Sequence, residues 1–166
     1  MPRYWLTTHW PPQNANPHDT FNIHIQDKFK DDLTELRKGD KVLFYEFKSG
    51  PNVTNERGEV IHRRQQGREG IVCEAELITD LHLRPNYVPE HFEGKGERNF
   101  CWLAETGHHA FGFIPKATVN ETLGYKPRYT LQGFNGGRGI KQISAEQYTA
   151  LHALTSWEPM APSPAR

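Results

Sequence analysis

Lys41 to Phe47, KVLFYEF, restricts the fold of this chain more than any other stretch. Val42, Leu43, Phe44, Tyr45 and Phe47 make it nearly continuous in apolar or aromatic character. A strand of that kind cannot leave one side in water; it needs cover on both faces of a sheet. Just upstream, Phe29, Leu33 and Leu36 recur at i, i+4 and i+7, the apolar face of a short helix. Gly39 lies past that face, where a left-handed residue ends a helix without a Cβ clash. Gln26 to Phe47 therefore reads as helix, tight turn at Lys38-Gly39-Asp40, and buried strand.

The remaining elements are short. Arg3 to Thr8 reads as a strand ended by His9-Trp10-Pro11-Pro12, since two prolines cannot serve a central ladder. Gln13 to Thr20 is a polar loop, and Phe21 to Ile25 is a half-buried extended piece. Ser49 to Glu69 is loop-like, with Arg57, Arg63, Arg64 and Arg68 in it and a small hairpin near Val60-Ile61. Gly70 to Thr79 is a strand with a bulge or a change of face midway. Asp80 to Arg98 is irregular. Phe100 to Glu105 and Ala110 to Ile114 are two strands across Thr106-Gly107-His108-His109. Pro115 to Leu123 holds a short helical piece, and Gln132 to Gly139 is a glycine-rich turn. Ile140 to Ile143 is a strand, and Ser144-Ala145-Glu146-Gln147 is a capping box opening a last helix with Tyr148, Leu151 and Leu154 on its apolar face. From Ser156 the Pro-rich tail is expected to leave the fold. About six strands with short helices at the edges, lacking βα alternation, indicate an α+β fold around a curved sheet or small barrel over residues 1–155, with 156–166 a disordered tail.

Composition removes several function classes. The chain has 166 residues, enough for one domain with its own core. Lys+Arg and Asp+Glu both number 20, so bulk charge alone does not hold it to nucleic acid. The two cysteines, Cys73 and Cys101, lie in apolar runs and read as buried free thiols of a reducing compartment. Neither a signal peptide nor a membrane-spanning run is seen, so a soluble cytoplasmic protein is expected.

Motif-borne chemistry is sparse. There is no HExxH, CxxC or GxSxG pattern. His108 and His109 are neighbours on a strand and point to opposite faces, which does not suit one shared ion. No metal or other cofactor is expected. Gly136-Gly137-Arg138-Gly139 leads into a strand, whereas phosphate-cradling loops lead into a helix. A small hydrolase or nuclease using His108, His109 and Glu105 is the least supported reading. Trp10, Phe21, Tyr45, Phe47 and Trp102 gather at strand ends, where rings can stack on bases. Any one of these rings can instead be core, Trp10 least readily because it stands beside Pro-Pro.

The strand RYWL, the unit DDLTELRKGDKVLFYEF, the strand GIVCEAELI and the closing RGIKQISAEQYTALHAL occur in the order seen in EVE domains. These are PUA-like modules related to the YTH and ASCH families. The resemblance spans most of the chain in outline, and KGDKVLFY is its most specific piece. It implies a small curved β-barrel with peripheral helices and a pocket for a flipped modified base. Carried over by position, the pocket falls on His9 and Trp10, on Phe21 to Lys28 (with Asn22, His24, Gln26 and Asp27), and on Tyr45, Glu46 and Phe47, with Trp102 nearby. The family's segment R-N-Y-Q-A-R before the helix reads here Ile25 to Lys30, IQDKFK. Its Lys-Ser-Glu-Pro turn is replaced by Thr7 to Pro12, so the ligand is expected to differ from that of other members. Gln26 and Asp27 suit an amino-bearing base edge, although Asp27 is equally suited to cap the helix. Lys28, Arg57, Arg63, Arg64, Arg138 and Lys141 would contact phosphates. The expected function is a non-catalytic reader of modified cytosine (5-methyl or 5-hydroxymethyl) in DNA, the recognition part of a modification-dependent restriction system with a nuclease partner. A PUA-like RNA-binding module is the alternative.

Overall fold

Lys41–Glu46 forms a strand in which every residue after Lys41 is buried. Its side chains divide strictly between two cores. Val42 and Phe44 pack with Trp5, Ile23, Ile25, Val72 and Ala75 on one face, and Leu43 and Tyr45 pack with Leu6, Ile71, Leu131 and Leu151 on the other. Alternation on a pleated strand combined with cover on both sides is what the unbroken apolar run required.

The computed structural model describes residues 1–11, 21–63, 66–132 and 134–159. Within them the strands are β1 (Tyr4–His9), β2 (Ile23–Ile25), β3 (Lys41–Glu46), β4 (Val53–Thr54), β5 (Val60–His62), β6 (Gly70–Leu77) and β7 (His82–Leu83). They continue with β8 (Glu90–Phe92), β9 (Gly96–Arg98), β10 (Trp102–Ala104), β11 (Thr106–Pro115), β12 (Ile140–Ile143) and β13 (Glu158–Pro159). A 3-10 helix spans Asp27–Leu33, and two α-helices follow, α1 (Lys116–Leu123) and α2 (Ala145–His152). The fold is broadly α+β and mostly β. Its main sheet has six strands in the order β12-β1-β3-β6-β11-β13, with edges at β12 and β13. Two smaller sheets, β2-β10-β7 and β5-β4-β8-β9, complete it. β1 and β3 are parallel; β3, β6 and β11 run antiparallel in turn.

Several expectations change in detail. The helix after Gln26 is a 3-10 helix that stops at Leu33, short of Leu36. It stops because the N–H of Arg37 donates to the carboxylate of Asp40 and its C=O accepts from the Asp40 N–H, so this stretch turns instead of winding on. Leu33 and Leu36 are buried nevertheless. Gly39 has φ +95 as expected, but as a turn residue and not as a helix cap. Ser49 to Glu69 holds the expected hairpin near Val60-Ile61, as β4–β5, together with a bridge between Ser49 and Gln66. The capping box on α2 forms with both its bonds. The tail does not leave at Ser156. Trp157 Nε1 donates to the carbonyl of His152 at 2.8 Å, which directs Glu158–Pro159 along β11. Residues 160–166 lie outside those described. Among the described residues no helix is long and apolar enough to cross a membrane.

Asp40 fastens the two parallel strands. Its side chain is 3% exposed. Oδ1 accepts from the Arg3 N–H at 3.0 Å, and Oδ2 accepts from Trp5 Nε1 at 2.9 Å and the Arg37 N–H at 3.1 Å. Its backbone C=O accepts from Leu77 on β6. Asp40→Ala strands an indole N–H and two amides at a cost of about 2–4 kcal/mol in total. Urea unfolding should show that loss, with Asp40→Asn losing less because it keeps one acceptor. Equal stability of Asp40→Ala and the native chain would contradict this role.

Candidate functional site

The parallel register sets His9 beside Glu46 at the far end of β1. There His9 meets the edges of two core rings, Phe21 at 5.4 Å and 83° and Phe44 at 6.0 Å and 67° between ring planes. Its Nδ1 lies 2.8 Å from the carbonyl oxygen of Trp10. A carbonyl only accepts, so Nδ1 carries the proton and Nε2 presents a lone pair. That Nε2 is buried and has no hydrogen-bond partner among the described residues. Burial lowers the His9 pKa, against the opposing pull of the Trp10 carbonyl and Glu46. His9 is thus a neutral, tautomer-fixed acceptor without a donor. Buried polar atoms are rarely left this way without a reason.

His24 comes from β2, where Ile23 and Ile25 turn into the core and the intervening side chain faces solvent. Its pKa is pushed down to about 4, chiefly by partial desolvation, then by the charge of Arg84 and by His9. Arg84 Nη1 stands 3.5 Å from His24 Nδ1. A guanidinium only donates, so Nδ1 accepts and the His24 proton sits on Nε2. Arg84 is itself fixed: its N–H donates to the Cys101 carbonyl at 2.7 Å, its Nη1 to the Phe100 carbonyl at 3.3 Å, and its guanidinium lies 4.4 Å above the Tyr87 ring.

Trp10, next to His9, packs its ring 4.8 Å from that of Phe92, and Phe92 stands 6.2 Å from Phe100. The indole lies against Gly50, where an added Cβ would come within 2.6 Å of Trp10. These contacts form an open circuit, His9, Trp10, Phe92, Phe100, Arg84 and His24, and among the described residues only a charge interaction links His24 to His9. It holds the half-buried rings of Trp10 and Phe100, the buried ring of Phe92, one hydrogen-bond acceptor, one N–H donor and one cation.

The expected pocket residues divide on inspection. His9, Trp10 and His24 come together in this circuit. Phe21 is 6% exposed and is core, wedged among His9, Phe44 and Phe111, so it is not available for stacking. Tyr45 is 1% exposed and, with Phe47, faces the other core. Burial raises its phenol pKa. Glu46 is spent on the Arg68 amide at 2.8 Å, and Asn22 on the Thr106 amide at 3.0 Å. Gln26 is buried, and its side chain makes no cap. Asp27 is neither the N-cap nor an open base contact, because its Oδ1 accepts from Trp102 Nε1 at 2.8 Å. Trp102 in turn carries Lys30 above its ring.

Among the basic candidates, Arg138 donates through Nε and Nη2 to Asp32, and Arg57 pairs with Glu59. Lys28 lies 5.0 Å above Phe29, close to Arg138 over the same ring. Arg63 and Lys141 are exposed; Arg64 lies outside the described residues. Arg84, Tyr87, Phe92 and Phe100 were missed. Their segment lacked periodicity, and the one available signal was an arginine two residues before an Asn-Tyr pair.

The other chemical candidates do not assemble. His109 Nε2 is 2.8 Å from Thr106 Oγ1, while His108, at φ +54 in a bulge of β11, approaches Glu76 at 3.7 Å. Cys73 and Cys101 are free and buried, and burial pushes the Cys73 thiol up to about 12. Among the described residues no group of three or more His, Cys, Asp or Glu side chains is placed to hold a metal.

No family model and no curated protein matches this chain. It is similar to a Rhodopseudomonas palustris protein, Rpa0253, solved by NMR, with 16% identity over 89% of each chain and a TM-score of 0.46.

The two histidines give the site a pH signature. Both bind protons less readily folded than unfolded, where the value is about 6.5. The unfolded chain therefore takes up more protons as pH falls. Their stabilising contribution is full above about pH 6.5 and is lost as pH falls through the His24 value of about 4. Urea midpoints should decline across that window, and His24→Asn should flatten the decline. An unchanged slope in His24→Asn would assign the acid loss to other groups.

Proposed function

We propose that this chain is a non-catalytic nucleic-acid-binding module of the EVE type, with a PUA-like fold, that takes a flipped modified cytosine of DNA at the end of β1. One observation carries the reading: the buried, unpartnered lone pair of His9 Nε2. Cytosine offers an exocyclic amine as donor with acceptors beside it on the same edge, whereas thymine offers a carbonyl oxygen in place of the amine. Once the entering base uncovers it, His9 Nε2 accepts from the amine; His24 Nε2–H or Arg84 donates to the neighbouring acceptor. Thymine would set its oxygen against the His9 lone pair and leave both unsatisfied, a difference of the kind that discriminates strongly between ligands.

Trp10 supplies the stacking surface. Flipping a base costs a few kcal/mol, and stacking on one ring returns about 1–3 kcal/mol. A 5-methyl or 5-hydroxymethyl group adds apolar contact worth about 1–3 kcal/mol. Phosphates are met by the exposed cations Lys28, Arg63 and Lys141, with Arg64, outside the described residues, a further candidate; Arg138 and Arg57 must first give up a carboxylate. A nuclease partner or a fused domain would supply any cleavage.

Tryptophan fluorescence should quench with oligonucleotides carrying 5-methylcytosine or 5-hydroxymethylcytosine, and not with those carrying cytosine or thymine alone. Trp10→Ala should weaken binding of the modified oligonucleotide roughly 5- to 150-fold, and His9→Phe should abolish the preference for cytosine over thymine. Equal binding of plain and modified DNA would refute the reading, and tighter binding of RNA would replace DNA with RNA as the partner.

A further inference from the structure

A second aromatic and basic surface lies on the connection between α1 and β12. Gly124, at φ +80, turns the chain out of α1. From beneath, one amide holds the loop that follows. Asn120 is fully buried, and its Nδ2 donates to the carbonyls of Pro127 at 3.1 Å and Tyr129 at 2.9 Å. The Tyr125 N–H donates to the Asn120 carbonyl at 2.7 Å, and the Tyr129 N–H to that of Lys126 at 2.9 Å. The loop is therefore preorganised, which lowers the entropic cost of binding on it.

What the loop presents is specific. The rings of Tyr125 and Tyr129 stand 4.9 Å apart at 46°. Tyr125 is anchored against the core shared by Leu131, Phe134 and Leu151, while Tyr129 is 40% exposed. Lys126 and Arg128 are exposed on either side of Pro127 and form no ion pair among the described residues. Gly124, Tyr125, Lys126, Arg128 and Tyr129 line an open depression of about 540 Å³. An apolar floor of two tilted rings with two uncompensated cations at its rim matches a nucleotide, whose base has two π-faces and whose phosphates are anionic. An acidic peptide would use the cations and leave the exposed ring without a role.

We infer that the Gly124–Tyr129 loop is a second binding site, for single-stranded nucleic acid, in which a base stacks on Tyr129 and the flanking phosphates meet Lys126 and Arg128. The site does not depend on the cytosine pocket. Tyr125 packs on the opposite core from Phe21 and Phe44, so the two sites belong to different faces of the central sheet. It reads no sequence; it would hold the strand that leaves the duplex or loop wherever the other site is engaged.

The test is fluorescence anisotropy of the full chain with labelled oligothymidylate and oligouridylate, with heparin as a polyanion that has no bases. Tyr129→Ala should weaken binding of both oligonucleotides roughly 5- to 150-fold, with an unfolding midpoint only slightly lowered by loss of the Tyr125 contact. Tyr129→Phe should bind as the native chain does. The double variant Lys126→Gln, Arg128→Gln should lower the slope of log affinity against log salt by about 1.4. Trp10→Ala should leave oligothymidylate binding intact, which separates this site from the first. Native affinity in Tyr129→Ala, or oligothymidylate binding lost in Trp10→Ala instead, would overturn the inference; so would heparin binding tighter than either oligonucleotide and insensitive to Tyr129.

Discussion

The carboxylate of Asp40 is the interaction on which this structure depends. It gathers the Arg3 amide, the Trp5 indole and the Arg37 amide at one end of the parallel pair β1–β3. Register is thereby fixed where the strands begin, with Tyr4 beside Lys41. A slip by one residue would turn every side chain of β3 to the other core. Because both faces are buried, such a slip would put Val42 and Phe44 into the core that now holds Leu43 and Tyr45. The same register carries His9 to its place beside Glu46 at the opposite end, five steps or roughly 17 Å along the strand. The clamp and the candidate site are two ends of one constraint.

At the site, polarity is set by what the histidines cannot do. Burial keeps His9 uncharged, and the Trp10 carbonyl holds its proton on Nδ1. Partial desolvation and then Arg84 keep His24 uncharged, and Arg84 orients its proton on Nε2. Two rings of one residue type thus offer opposite hydrogen-bonding characters, one acceptor and one donor. Charged imidazoles would offer donors alone and lose the distinction between an amine and a carbonyl edge.

Much of the scaffold was legible in the sequence. KVLFYEF could only be a strand covered on both faces, and the Ser144 to Gln147 capping box announced α2 because its two bonds are local. The site was legible only in part. Trp10 was located by its position at a strand end, and His9 and His24 only by the positions that the family resemblance carries over. Phe21 and Tyr45 were not separable from them, because an aromatic ring at a strand end has the same sequence signature whether it turns inward or outward. Asp27 was assigned to a base or a cap, but Trp102 Nε1, seventy-five residues away, takes its Oδ1. Arg84, Phe92 and Phe100 reach the site through long-range contacts that no local pattern encodes. The 3-10 helix ends early for the same kind of reason: Asp40, not the helix's own periodicity, decides where the chain turns.

The central claim is that a neutral His9, with its proton on Nδ1, receives the amine of a cytosine. Nitrogen-15 NMR of selectively histidine-labelled protein, titrated with 5-methyldeoxycytidine near neutral pH, tests it directly. The account predicts a protonated Nδ1 and an unprotonated Nε2 in free His9, and a shift confined chiefly to that Nε2 and to His24 when the nucleoside binds. A proton found on His9 Nε2 in the free protein, or nucleoside binding that leaves both His9 resonances unmoved, would contradict it.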